Sequence, residues 1–248
     1  MEKTTIKLTN FVKRMIILCE KINKDISKFS SIDSENTNFF NYQIFNRCLF
    51  FGKSIVLLVK NNFLHEAVII ARTLFEGLCY FEFSRTDLSA VKNWCLYAIY
   101  EDYQKVLKSK GKNEADNYLT QISGKIGKEI VVEAKNKHDF IKFMQKWYKR
   151  NNLSEIVTQT DKKFDDQDKY LKKLYDAFYS ESSKIVHWTP GGVINGNLTI
   201  NFALAVTFQS LLTLGRHINS KYEFQYEIKI RKLYNSYVQY YNESKKRK

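Results

Sequence analysis

Proline occurs once in the 248 residues, at Pro190, and glycine only nine times. So little punctuation argues against many short strands or a string of small modules. Alternating apolar and polar patterns are weak everywhere, which argues against a parallel sheet as well. The four cysteines, Cys19, Cys48, Cys79 and Cys95, lie far apart and form no C-x-x-C pair. They read as reduced core residues of a cytoplasmic protein, not as a disulfide frame or a zinc site. His65, His138, His187 and His217 lack H-E-x-x-H or E-x-x-H spacing, so no metal is expected. The chain has no G-x-G-x-x-G, Walker A loop or G-x-S-x-G elbow, and no cofactor is expected. Met1 to Asn10 has too short an apolar run for a secretory signal. The uncharged stretch Ile194–Gly215 is long enough to span a bilayer, yet it carries Asn201, Gln209 and Ser210 and reads as a buried bundle helix. No membrane span is expected.

What the chain does have is helical periodicity from end to end and 44% hydrophobic residues. The fold expected is all-α, a single domain over residues 1–248 built as a bundle of about seven to eight long helices. The periodicity predicts helices near residues 4–29, 39–61, 64–83, 88–110, 128–150, 165–186, 198–219 and 221–243. Residues 111–127 are the most polar stretch and are expected to form a mobile excursion or insertion, and residues 244–248 a frayed basic tail. Asn151, Asn152 and Thr158 to Asp161 read as a polar connection.

Lys plus Arg number 40 against 26 for Asp plus Glu, a net charge of +14. That excess favours an anionic partner such as RNA, DNA or an acidic membrane surface, although lysine that merely decorates a solvated face would give the same total.

Two polar lines interrupt the apolar periodicity. In the greasy helix starting at Leu64, His65, Arg72 and Glu76 project within about 40° of one another at about 100° per residue. Burying an arginine and a glutamate costs several kcal/mol per ion unless both are paired, so a partner or a ligand should answer them. The second line is Asp176, Ser180, Ser183 and His187, on one face of a helix stopped by Trp188-Thr189-Pro190. It lies opposite the apolar face of that helix and could be simply its solvated side. Small serines and an imidazole in place of lysines and glutamates favour a site, and a histidine near a helix C-terminus is suited to proton donation or phosphate binding. If the two lines share a groove, Arg72 is the phosphate clamp, Glu76 its orienting carboxylate and His187 the acid/base group aided by Ser183. His65, Ser180, Asp176 and Tyr103 are then candidate ligand contacts, the tyrosine as a surface for base stacking. The alternative is an Arg72–Glu76 pair that only stitches helices together.

The segments Glu66–Glu76 and Tyr179–His187 resemble those of an uncharacterised bacterial family of helical proteins with an R-x-x-x-E helix followed later by an S-x-x-x-H element. The likeness covers residues 40 to 215. The overall plan also resembles the HEPN superfamily, whose helical bundles often dimerise and cut RNA without metal in toxin and phage-defence systems. That resemblance implies a homodimer or a partner protein, and metal-independent RNA cleavage. The departure is that HEPN nucleases use an R-x(4-6)-H motif inside one helix, and no arginine here has a histidine at that offset. Three readings stay open: an effector acting on RNA or another phosphate-bearing ligand, a non-enzymatic binding or regulatory module of a defence system, and a peripheral membrane protein whose binding to liposomes vanishes with salt.

Overall fold

The computed structural model describes residues 2–26, 36–86, 101–126, 153–163, 170–179, 182 and 196–246. Among these residues every regular element is helical, so the protein is an all-α bundle. Helix α1 is Lys3–Ile26, α2 is Asn36–Lys60 and α3 is Leu64–Thr86. Residues 101–110 form α4, Lys112–Ile126 forms α5 and Leu153–Lys162 forms α6. The short α7, Leu171–Leu174, runs into a wider π turn over Tyr175–Tyr179, and Gly196–Lys221 (α8) and Glu227–Lys246 (α9) follow.

Helix α3 occupies the middle, packed against α2, α6 and α8, while α1 covers α2 and α8. Its composition explains why. Ala67, Val68, Ala71, Leu74, Phe75 and Leu78 are all buried, leaving few directions free for water. The α2–α3 turn is made by Asn61 and Asn62, with Asn62 in the left-handed region at φ 63°, a conformation asparagine tolerates better than most residues. The two helices then approach so closely that a Cβ on Gly77 would lie 2.7 Å from the Cys48 sulfur. Glycine is what allows this contact. Gly52 does the same for α2 and α8, where a Cβ would lie 2.9 Å from Leu211 Cδ1.

Two stretches read as loops contain helix. The excursion expected at 111–127 is helical from Lys112 to Ile126, starting after Gly111, whose φ of +87° breaks the preceding helix. The connection expected before Asp161 is α6, which buries Ile156, Val157 and Thr160 against α3. Helix α9 also continues through Lys246, into the stretch read as a tail. The helix expected at 128–150 lies outside the described residues.

Within Ile194–Gly215, the described part belongs to α8, and Ala203, Leu204, Phe208 and Leu211 are buried in the core. One helical segment among the described residues, Asn41–Lys60, is long and apolar enough to cross a membrane by length and composition, with 33% of it buried in the bundle. Cys19, Cys48 and Cys79 are buried free thiols, and burial pushes the Cys48 thiol up to about 12.

Tyr237 of α9 seals one side of the core, stacked 4.3 Å from Phe208 and edge-on to Phe11 at 5.6 Å. Burial, with the neighbouring tyrosines adding to it, pushes its phenol from 10.0 up to about 12. An acid whose folded pKa is raised contributes stability below its unfolded pKa and loses it as pH rises through the folded one. Stability should therefore fall between pH 10 and 12, and Tyr237→Phe should retain about 2 kcal/mol more than the parent beyond that window. Urea titrations at stepped alkaline pH check this, and parallel falls in parent and variant would refute it.

Candidate functional site

The segment 170–179 runs along α3 in the opposite direction. Buried Asp161 starts it by accepting the backbone N–H of Leu171 at 3.3 Å and of Lys172 at 2.8 Å, a cap that fixes the beginning of α7. Tyr170 then faces Glu82, Phe178 packs edge-on to Phe75 at 6.0 Å, and Tyr179 reaches Arg72. This antiparallel register brings Arg72 of the first polar line to Tyr179, a residue outside the second line.

Arg72 is only 16% exposed. Its Nη2 donates to the Tyr179 hydroxyl at 2.6 Å, and its guanidinium carbon lies 4.1 Å from the centre of that ring. Glu76, one turn on, is 3.5 Å from Arg72 Nε, close enough for charge attraction but without the alignment of a hydrogen bond. Nε is therefore a buried donor with no acceptor among the described residues. Such a group is costly to leave unmade. Burial raises the Tyr179 phenol above its ordinary range, opposed by the Arg72 hydrogen bond and reinforced by the Glu76 charge, so the hydroxyl keeps its proton.

The other candidates distribute differently. His65 is exposed at the start of α3 and Asp176 is exposed and ion-paired with Lys172, as a solvated side chain would be. Tyr103, half-buried on α4, makes no hydrogen bond, ion pair or ring contact with Arg72. Ser180, Ser183 and His187 lie outside the described residues. Among the described residues no group of His, Cys, Asp and Glu could hold a metal ion.

Sequence reasoning passed over a second charged cluster on α3. Glu82 is 1% exposed, accepts from Arg85 Nη1 at 2.7 Å and lies 3.0 Å from His217 Nε2 of α8. The hydroxyl of Tyr170 makes a longer 3.5 Å contact to the same carboxylate, and burial, then the Glu82 charge, hold that phenol well above its ordinary range. Arg85 Nη1 also lies 2.6 Å from His217 Nε2. One ring nitrogen can donate to the carboxylate or accept from the guanidinium, and it cannot do both. The sequence signal was a carboxylate between Phe81 and Phe83, a charge where the periodicity calls for an apolar side chain.

An all-α bundle whose central helix turns a mostly buried arginine toward a tyrosine-bearing turn is thus the class of protein the structure defines. Over residues 41–199, more than half of the chain, it matches the family of unknown function DUF5677, and it belongs to that family. No curated protein and no solved structure matches it.

Proposed function

We propose that the protein is a helical effector that acts on RNA or another phosphate-bearing ligand, in the manner of the metal-independent, HEPN-like ribonucleases of toxin and phage-defence systems. The observation that carries this reading is Arg72, a guanidinium pre-seated on Tyr179 with its Nε donor unmade. Planar guanidinium donors fit phosphate oxygens in pairs, and a side chain already held in place loses less entropy on binding. The net charge of +14 supplies the long-range attraction. A π turn beside the arginine also suits a site, since such turns are frequent at functional positions. In this proposal Glu76 orients Arg72, His187 moves the proton between the attacking 2′-hydroxyl and the departing 5′-oxygen, and Ser183 assists. Cleavage then leaves 2′,3′-cyclic phosphate and 5′-hydroxyl ends. A cytoplasmic location and a second copy or another protein as partner belong to the same reading.

The alternative, a non-enzymatic binding or regulatory module, is favoured by the Tyr179 hydrogen bond, which gives Arg72 a packing role without any ligand. Incubation with total RNA separates the two. The effector reading expects cleavage by the parent and a loss of at least about a hundredfold in both Arg72→Ala and His187→Ala. No cleavage by the parent leaves the regulatory module, and full activity in both variants overturns the roles given to Arg72 and His187.

A further inference from the structure

The rings of Tyr175 and Tyr179 are stacked, 4.9 Å between centroids and 16° between planes. Arg72 covers Tyr179 at 4.1 Å, and the Lys172 ammonium lies over Tyr175 at 5.3 Å. Four side chains thus form one column, with a cation on each end and two aromatic rings between them. The ends are not equivalent. Arg72 is largely buried and hydrogen-bonded to the ring it covers, whereas Lys172 is 39% exposed on a flexible stem and ion-paired with exposed Asp176. An ammonium so placed is displaced at small cost. What it uncovers is a flat, half-buried tyrosine face backed by a second ring.

We infer that the Tyr175 face seats an unpaired nucleobase, which replaces Lys172 at the end of the column, so that the ligand is single-stranded RNA. The inference rests on the phosphate reading of Arg72 and adds the base to it. Every base has a π-face, so stacking on an aromatic residue holds single strands with little regard to sequence. Paired bases cannot reach such a seat, since their faces are occupied within the duplex. Once displaced, Lys172 remains tethered one turn from the seat, where a phosphate flanking the bound base can meet it. The stacker expected from sequence, Tyr103, has no such neighbour among the described residues; Tyr175 has two, Tyr179 and Lys172.

The test is the affinity of the full chain, by fluorescence anisotropy, for a labelled single-stranded ribo-oligonucleotide and for an abasic ribose-phosphate strand of equal length. The parent should prefer the strand with bases by about tenfold or more. Tyr175→Leu, which keeps apolar volume but has no ring, should abolish the preference, and Tyr175→Phe should retain it. Equal binding of the two strands by the parent overturns the base seat while leaving the phosphate reading intact, and that comparison needs no variant to fold. A preference that persists in Tyr175→Leu overturns the seat as well. Binding of neither strand overturns both.

Discussion

Replacing Arg85 with alanine should cost about 3 kcal/mol of folding stability, a large part of what holds a domain of this kind together. Arg85 itself is one-third exposed, but the group it leaves behind is not: Glu82 is 1% exposed and, among the described residues, would keep the His217 contact and the long Tyr170 contact. A carboxylate stripped of its guanidinium in that position carries most of its desolvation cost uncompensated. It follows that Glu82→Gln should hurt the parent but help the Arg85→Ala variant, because an amide is not a buried charge. Urea denaturation of the four proteins in this cycle should give a coupling of at least about 1 kcal/mol. Additive effects would mean that the ion pair contributes nothing beyond packing.

Phe178→Ala should cost as much or more, about 3 to 5 kcal/mol. The ring is fully buried, edge-on to Phe75 at 6.0 Å and to Phe202 at 5.6 Å, so its removal leaves a cavity between α3, α8 and the π turn that rigid neighbours cannot fill. The functional consequence comes through the next residue. Tyr179 follows Phe178 in the chain and bonds Arg72, so a loosened turn should release that hydrogen bond and, under the proposed function, lower RNA affinity. Phe178→Leu, which keeps most of the volume, should cost less than half as much and leave affinity near that of the parent. Denaturation midpoints and anisotropy titrations on the same samples check both parts, and a stable alanine variant would show that the segment 170–179 is not anchored by this ring.

The helical class and the central helix were legible in the sequence because both depend on local periodicity. Ala67, Ala71, Leu74 and Leu78 state the apolar directions of α3, and Asn61-Asn62 marks the turn before it. Helices α5 and α6 were not legible, since their polar composition resembles that of loops; in α6 a narrow face is buried against α3. The site was half legible. Arg72 and Glu76 announce themselves as ions in an apolar helix, but Tyr179 lies 107 residues from Arg72 and nothing in a ring-rich sequence singles it out. Glu82 was missed for a different reason: one carboxylate between two phenylalanines is lost in any pattern that counts apolar matches.

Affinity for a single-stranded ribo-oligonucleotide, measured across a range of salt for the parent and for Arg72→Lys, tests the clamp most directly. Lysine keeps the charge and loses the planar fork. If Arg72 grips phosphate by paired donors, the variant should bind about tenfold more weakly at every salt concentration, with an unchanged slope of affinity against salt. Identical affinities for the two proteins would contradict the assignment of Arg72 as the phosphate clamp.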